Sequence, residues 1–216
     1  MSINKTYAVL GLGRYGTAVA EELVNNGAEV LAVDIDQNNV NNASLNIPLC
    51  KCADVTDAEV IEKLGISNID VAIVAMANNL EASVLATSLC KEAGVKTVIA
   101  KCGSELHSKI LYNVGADRVI FPEKESGKRL ARTLLTAGFS EMIELSDKIS
   151  MVEFEVRDEW VGKNLVDLQL RKKYSINVVA ICEGENISTA FDPHEPFKKG
   201  MRLIVIAETQ KLQKLK

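Results

Sequence analysis

The sequence predicts an α/β protein with a doubly wound parallel sheet, a crossover helix and a small C-terminal α+β lobe. Three observations predict this fold class. Short apolar runs alternate with longer amphipathic ones from residue 6 to about residue 121. A glycine-rich turn joins the first apolar run to the first amphipathic one, and the pattern changes to short strands with frequent turn signals near residue 140.

Six apolar runs predict the strands of the sheet: TYAVLG, AEVLAVD, IPLCKC, VAIVAMA, TVIAK and RVIF. The amphipathic segments between them predict helices, among them RYGTAVAEELVNN, LEASVLATSLCKEAG and SELHSKILYNVG. Gly27, Gly94 and Gly115 stand where these helices should end. Because helices separate the strands, the strands are expected to run parallel.

The segment EKESGKRLARTLLTAG, residues 123–138, predicts an amphipathic helix with Leu130, Leu134 and Leu135 on its apolar side. This helix is interpreted as a connecting or subunit-pairing element. Four short strands are predicted after it: SMVEFEV, NVVAIC, NISTA and MRLIVIA. The predicted domains are therefore 1–139, which includes the crossover helix, and 140–216.

Composition excludes several classes of protein. The net charge is −4 and the isoelectric point about 5.4, which argues against a nucleic-acid binder held by phosphate contacts. The start MSINKTYAV lacks the apolar core of a signal peptide, and no apolar run approaches the roughly 18 residues of a membrane span. The five cysteines show no C-x-x-C spacing and are expected to be reduced core residues.

The stretch AVLGLGRYGTAV contains Gly11, Gly13 and Gly16 in the G-x-G-x-x-G pattern of a Rossmann dinucleotide-binding turn. Asp34 ends the second predicted strand, about 20 residues further on, where a carboxylate accepts hydrogen bonds from a ribose. A carboxylate at this position would repel a 2′-phosphate, which argues against NADP. Together these residues predict an adenine nucleotide or NAD as the ligand.

Arg14 lies in the first turn of the predicted helix, where the positive end of the helix dipole disfavours a cation. A multiply charged anion at the same place would explain the arginine. Glycine amides and the helix end suffice for a diphosphate, so the added guanidinium favours a triphosphate or a ligand that bridges two subunits. The alternative is an arginine that points to solvent.

Further polar residues follow the other strands, at the edge where a doubly wound sheet binds its ligands. They include Lys101 after the fifth strand, His107 in the next helical turn, and Glu123 after the sixth. In the usual strand order Glu123 would lie about 14 Å from the glycine turn. It is expected to meet terminal phosphates through a cation or to act across a dimer interface. The alternative is a carboxylate that only stabilises a helix N-terminus.

The sequence shows no arrangement typical of a catalytic site. None of the four tyrosines has a lysine four residues later, as a short-chain dehydrogenase would require, and no Cys/His or Ser/His/Asp constellation is evident. A nucleotide sensor is therefore favoured over an enzyme. A small NAD-dependent oxidoreductase and a non-catalytic NAD(H) redox sensor are the alternatives.

Five segments, GLGRYG, VDID, ADVTD, IVAMANNLEAS and GADRVIFPEKESGKRLA, resemble the cytosolic RCK-domain (TrkA-like) regulatory subunits of Ktr/Trk potassium uptake systems. The resemblance extends over essentially the whole chain. It implies a non-enzymatic subunit that gates a membrane potassium channel subunit through an ATP/ADP-dependent conformational change. It also implies a homodimer that assembles into an octameric ring in the cytoplasm, at the inner face of the membrane.

The resemblance also implies residue roles. Arg14 would meet the γ-phosphate, and Asp34 with Asp36 would contact the ribose and adenosine. Residues 54–55 and 76–78 would flank the adenine. The implied nucleotide-binding residues are Gly11, Leu12, Gly13, Arg14, Tyr15, Gly16, Asp34, Ile35, Asp36, Asp54, Val55, Met76, Ala77, Asn78, Lys101, Cys102, Gly103, His107 and Glu123.

In the same way, Lys101 and His107 match residues near the phosphates. Glu123 matches a residue at the interface between nucleotides, associated with a cation such as Mg²⁺ or Ca²⁺. In the small lobe, LRKKYSIN resembles the cyclic di-AMP site of some family members. The matching positions are Arg171, Ile176, Asn177 and Pro193.

Overall fold

The computed structural model describes residues 5–135, 141–146 and 148–215. The chain divides into two compact units, of which the first ends at Glu123 and the second begins at Lys124. The domain boundary predicted between residues 139 and 140 stays a prediction. In the described part of the chain, no helix combines the length and the apolar character that crossing a membrane requires.

The first unit contains the predicted parallel sheet. Its strands are β1 Thr6–Leu10, β2 Glu29–Asp34, β3 Leu49–Cys52, β4 Val71–Val74, β5 Thr97–Lys101 and β6 Arg118–Ile120. They pair in parallel in the order β3-β2-β1-β4-β5-β6. The order reverses between β1 and β4, and this reversal creates the switch point at which doubly wound sheets bind ligands.

Helices connect these strands: α1 Arg14–Asn25, α2 Gln37–Ala43, α3 Ala58–Lys63, α4 Leu80–Glu92 and α5 Glu105–Asn113. A further helix, α6 Pro122–Leu135, follows β6. The three helices predicted in this region are confirmed as α1, α4 and α5. Gly27, Gly94 and Gly115 follow them with positive φ, as a helix C-terminus favours. The predicted helix over residues 123–138 is α6, and its residues 136–138 lie outside the described residues.

Both faces of the sheet are buried. On β1, Ala8 and Leu10 pack into the apolar layer on one side of the sheet, whereas Val9 packs into the layer on the other side. Side chains alternate between the faces of a strand, so a strand covered on both sides must be apolar throughout. The continuous apolar runs therefore become buried strands in the middle of the sheet, whereas the edge strand β3 is mostly exposed.

All five cysteines were expected to lie in the core, and only some of them do. Cys90, Cys102 and Cys182 are buried, and burial raises the pKa of Cys90 to about 12. Cys52 is exposed because it ends β3, which is an edge strand. The expectation that all cysteines are core residues is therefore wrong for Cys52.

The second unit contains an antiparallel sheet in the order β10-β9-β11-β8-β7. Its elements are β7 Glu141–Glu144, β8 Ile149–Glu155, α7 Leu165–Leu168, α8 Leu170–Tyr174, β9 Ile176–Glu183, β10 Asn186–Ser188 and β11 Arg202–Glu208. The core includes Trp160, whose ring lies edge-on to Phe154 with 6.0 Å between centroids. All four predicted strands form. β7 was not predicted, because its two apolar residues are adjacent and show no strand alternation.

Candidate nucleotide-binding site

Two adjoining cavities open at the carboxyl edge of the parallel sheet. The Asp54 cavity, of about 410 Å³, lies beside the ends of β2 and β3 and includes Asp34, Ile35, Asp54 and Val55. The Arg14 cavity, of about 620 Å³, extends across the edge from the glycine turn to Glu123. Both cavities share four lining residues: Gly11, Asp34, Met76 and Asn79.

Close packing explains two of the three motif glycines. Gly11 has φ +99°, and a Cβ there would lie 2.7 Å from the Cγ of Met76. A Cβ on Gly16 would lie 1.9 Å from the carbonyl oxygen of Gly11. At Gly13, in contrast, an added Cβ would meet nothing within 4 Å, since this residue faces the Arg14 cavity. Gly13 therefore leaves room for a ligand to approach the backbone.

Asp34 holds the glycine turn in place. Its Oδ2 accepts a hydrogen bond from the Leu12 amide at 2.6 Å, and its Oδ1 accepts one from the Asp36 amide at 2.8 Å. Each carboxylate oxygen has a second lone pair, so both can still accept from ribose hydroxyls. Asp34 therefore combines a structural role with the predicted ligand-binding one.

The Asp54 cavity combines a polar edge with apolar walls. Asp54 accepts from the Thr56 hydroxyl at 2.6 Å and from the Thr56 amide at 2.9 Å, and these bonds lower the pKa of its carboxyl. Val55 is buried, whereas Ile35 and Leu85 are exposed and line the cavity. A planar base could bury its faces against these apolar side chains and present its edge to polar atoms.

Two cationic side chains, those of Arg14 and Lys101, line the Arg14 cavity. Arg14 is the first residue of α1, and its side chain is exposed. The Nζ of Lys101 lies 2.7 Å from the Oε1 of Glu123 and 5.6 Å from the centroid of the Tyr15 ring. The hydrogen bond from Lys101 is the main cause of a lowered pKa at Glu123, and the charge of Arg14 contributes. This end of the edge therefore has a glycine turn, a helix N-terminus and two cations, which suits a polyphosphate.

His107 does not line either cavity. It is buried on α5, where its Nδ1 accepts from the Gly103 amide at 3.3 Å and its Nε2 lies 2.7 Å from the Ser83 Oγ. An amide can only donate, so Nε2 must carry the ring proton and donate it to Ser83. Burial lowers the pKa of His107. The neutral ring thus links α4 to the loop that follows β5.

The structure brings together most of the predicted nucleotide-binding residues. Those that line a cavity are Gly11, Gly13, Arg14, Tyr15, Asp34, Ile35, Asp54, Val55, Met76, Ala77, Asn78, Lys101 and Glu123. Those that line neither are Leu12, Gly16, Asp36, Cys102, Gly103 and His107. Asp36 instead caps α2 by accepting from the Asn38 amide at 2.8 Å.

Sequence reasoning missed Asn79, which lines both cavities and caps α4 through the Ala82 amide at 3.0 Å. Its position before an amphipathic run is a helix-start signal that could have identified it. Leu85 was missed as well, because an apolar residue on an amphipathic helix does not differ in sequence from a core residue.

The four residues predicted to bind cyclic di-AMP occupy different environments in the second unit. Arg171 on α8, Asn177 on β9 and Pro193 in the loop after β10 are exposed. Ile176 is buried in the core of the unit. The cyclic di-AMP site stays a prediction. So does a cation at Glu123: residues 5–135, 141–146 and 148–215 hold no group of three or more His, Cys, Asp or Glu side chains suited to a metal.

The fold and this edge define a two-domain protein with a Rossmann-type nucleotide-binding domain. The TrkA-N domain family matches residues 7–122 and the TrkA-C domain family matches residues 151–216. The chain belongs to this TrkA-N/TrkA-C family, which confirms the resemblance noted in the sequence.

Named relatives cover nearly the whole chain. The Ktr system potassium uptake protein C of Bacillus subtilis (strain 168) is 38% identical over 86% of this chain and 84% of its own length. The Ktr system potassium uptake protein A of Vibrio alginolyticus is 36% identical over 97% of this chain and 95% of its own. The Ktr system potassium uptake protein A of Bacillus subtilis (strain 168) is 34% identical over 98% of this chain and 95% of its own length.

Among solved structures, the GsuK channel bound to NAD has a TM-score of 0.57 and 20% identity. The match covers 98% of this chain but only 38% of the channel chain. GsuK bound to ADP has a TM-score of 0.52 and 22% identity, over 60% of this chain and 34% of the other. At these identities, the likeness establishes the fold alone.

Proposed function

We propose that this protein is the cytosolic, nucleotide-sensing regulatory subunit of a Ktr-type potassium uptake system. ATP and ADP bind the first unit and thereby control a membrane potassium channel subunit. The observation that carries the proposal is the pairing of Asp34, a ribose-type carboxylate, with two cations in the adjoining Arg14 cavity. The named potassium uptake relatives, at 34–38% identity, supply the physiological context.

In this proposal the nucleotide extends along the sheet edge. The adenine occupies the Asp54 cavity, the ribose lies against Asp34, and the phosphates cross the glycine turn toward Arg14. The positive end of α1 and the amides of the turn bind the first two phosphates of either nucleotide. Only a third phosphate gains an additional cation, and this differential contact is what a nucleotide-controlled switch requires.

A non-enzymatic role is part of the proposal. The described residues that line the two cavities include no histidine and no cysteine, and Lys101 is already paired with Glu123. The side chain that most often serves as a general acid or base, histidine, is therefore absent from the described lining of both cavities. NAD(H) would use the same adenosine contacts. A redox sensor or a small NAD-dependent oxidoreductase is therefore the competing function, and the neighbour bound to NAD is the observation that favours it.

The remaining parts of the proposal rest on the family resemblance. They are assembly of homodimers into an octameric ring at the inner face of the membrane, a divalent cation at Glu123, and cyclic di-AMP binding to the second unit through Arg171. Each can be tested on the purified full chain. Size measurement tests the ring, and calorimetry tests the two ligands.

The decisive test is calorimetric titration of the full chain with ATP, ADP and NADH, on the wild type and on Asp34→Asn. Both adenine nucleotides should bind, and the variant should weaken both by roughly tenfold or more, since a charged acceptor of the ribose hydroxyls is lost. Asp167→Asn is the matched control, because it removes an exposed carboxylate of the second unit. The melting temperature of each variant separates ligand loss from damage to the glycine turn.

Two results would overturn the proposal. If NADH binds and neither ATP nor ADP displaces it, the protein is an NAD(H) sensor. If the protein oxidises NADH with any metabolite and Asp34→Asn abolishes the turnover, the protein is an oxidoreductase.

A further inference from the structure

Lys101 depends on Glu123 for its counter-charge. Only 14% of the Lys101 side chain is exposed, whereas 64% of the Glu123 side chain is. A cation largely withdrawn from water is costly unless an anion or a set of acceptors compensates it. The Oε1 of Glu123, at 2.7 Å, is the anion that does so.

Tyr15 fixes the other side of the ammonium group. The Lys101 Nζ lies 5.6 Å from the centroid of the Tyr15 ring, within the range of a cation–π contact. Tyr15 is the second residue of α1, so the ring belongs to the helix whose N-terminus would bind the phosphates in the proposed function. Lys101 is therefore held at the Arg14 cavity, between a ring and a carboxylate.

Glu123 is ionised at neutral pH, as any exposed carboxyl is, and the hydrogen bond from Lys101 lowers its pKa further. A phosphate that reaches Lys101 must therefore compete with a carboxylate already bound there. A terminal phosphate carries roughly −1.5 to −2 at neutral pH against −1 for a carboxylate, so the phosphate has the advantage. A phosphate can therefore replace the Glu123 carboxylate at Lys101. The net gain in binding free energy is reduced, because the contact between Lys101 and Glu123 is lost.

The length of the phosphate chain decides which nucleotide can place a phosphate at Lys101. Lys101 ends β5, which is two strand spacings from β1 and hence about 10 Å across the sheet. The Lys101 side chain spans part of this distance, because its Nζ lies 5.6 Å from the centroid of the Tyr15 ring on α1. In the proposed pose, the glycine turn holds both phosphates of a diphosphate, so ADP has no further phosphate for the Lys101 ammonium. A triphosphate extends one phosphate further toward Lys101.

We propose that Glu123 is a specificity-determining residue that acts as an internal anion. It occupies Lys101 in the free protein and thereby limits the preference for ATP over ADP. This inference rests on the proposed function, since it assumes that adenine nucleotides bind with their phosphates in the Arg14 cavity. It requires no metal ion, and it predicts that loss of the carboxylate strengthens ATP binding.

The experiment is calorimetric titration of the full chain with ATP and with ADP in EDTA, so that no divalent cation bridges Glu123 to a phosphate. Glu123→Gln should tighten ATP binding by roughly threefold to tenfold, the range of a partly exposed charge pair, and ADP by less than about twofold. Glu59→Gln is the matched control. It breaks a Lys–Glu pair of 3.1 Å that is exposed and lies outside the cavities, and it should change neither affinity.

Three further variants test whether the effect comes from the Glu123 charge and from its contact with Lys101. Glu123→Asp retains the charge and should keep a nucleotide preference close to that of the wild type, whereas Glu123→Ala should repeat the result of Glu123→Gln. Adding Lys101→Gln to Glu123→Gln should abolish the gain for ATP. The non-additivity of this double mutant assigns the effect to the Lys101–Glu123 pair.

The outcomes separate this inference from the proposed function. If the wild type binds neither ATP nor ADP, the proposed function fails. If the wild type binds them and Glu123→Gln leaves ATP affinity unchanged or weaker in EDTA, the internal-anion role is overturned. An equal gain for ATP and ADP, or the same gain in Glu59→Gln, would also overturn it, because either result reports net charge rather than this contact.

Discussion

At the scale of single residues, Arg14 is a cation where the helix alone would favour an anion. It is the first residue of α1 and lines the Arg14 cavity together with Lys101 and Glu123. The backbone dipole disfavours a positive charge at this position unless an anion is bound beside it. Glu123 supplies one negative charge in the same cavity, and the proposed polyphosphate would supply more.

We predict that Arg14→Ala selectively weakens ATP. One charge-assisted contact to a third phosphate corresponds to about 1.5–3 kcal/mol, or roughly tenfold to a hundredfold in affinity, whereas ADP should change little. The variant should also uncouple the nucleotide from potassium uptake in cells. Parallel titrations with both nucleotides check the prediction, with Arg118→Ala as the control, since Arg118 is exposed at the start of β6. An equal loss for ATP and ADP would make Arg14 a general phosphate or structural residue.

His107 links the stability of the first unit to pH. Burial lowers its pKa in the folded protein from an ordinary value of 6.5, so the unfolded chain binds the proton more readily. The stabilising contribution of the neutral ring is therefore fully present above about pH 6.5 and declines as pH falls below that value. Protonation would also break the bond from the Gly103 amide to Nδ1.

We predict that the free energy of unfolding falls as the pH is lowered from about 7.5 to about 5.5. We also predict that His107→Gln makes the free energy of unfolding depend less on pH over this range. Urea unfolding at the two pH values measures it. His194→Gln is the control, because His194 is exposed in the loop after β10, and it should keep the wild-type slope. If His107→Gln also keeps that slope, the buried ring does not control the pH dependence.

At the scale of elements, two glycines of the turn between β1 and α1 are required for different reasons, one for packing and one for ligand binding. Gly16 allows α1 to pack against the carbonyl of Gly11, and no side chain fits there. Gly13 faces open space with φ −68° and ψ −178°, a conformation that any residue can adopt. Only a bound ligand would require Gly13 to be a glycine.

We predict that Gly16→Ala destabilises the protein by roughly 1–3 kcal/mol or more, because the added methyl overpacks the turn. Gly13→Ala should melt like the wild type and yet lose affinity for both nucleotides, since its methyl enters the space of the phosphates. Thermal melts and nucleotide titrations of the same samples distinguish the two effects. A Gly13→Ala variant with normal nucleotide affinity would show that the phosphates do not approach this amide.

The amino edge of the sheet is built for stability rather than for binding. Asp70 accepts from the Lys96 ammonium at 2.9 Å and from the Thr6 amide at 3.1 Å, and these bonds lower the pKa of Asp70 to about 2. Asp117 accepts from the Val98 amide at 2.7 Å. These carboxylates join the starts of neighbouring strands, whereas Asp34, at the opposite edge, orders the glycine turn.

At the scale of the whole molecule, the two units have separate sheets and separate cores. Contacts group the residues of α6 after Glu123 with the second unit, although the sequence assigns the whole crossover helix to the first domain. The candidate site is built from the first unit alone. The second unit carries the predicted cyclic di-AMP residues, and its role in regulation stays a proposal.

The sequence alone determined the parallel sheet, the glycine turn, the position of Asp34 and the family. These features depend on local periodicity and on motifs whose spacing is fixed by one strand, one turn and one helix. β7 was missed for the same reason, because a short strand without alternation forms only by pairing with β8.

Only the tertiary structure decided which of the predicted polar residues line the cavities at the sheet edge. Lys101 and Glu123 are 22 positions apart, and they meet because β5 and β6 are neighbours in the sheet. His107 occupies the predicted helical turn, but it is buried because its ring faces Ser83 on α4. A sequence pattern specifies the element on which a side chain lies. Whether that side chain meets solvent, a ligand or another charge depends on how distant elements pack, and this is set by the fold as a whole.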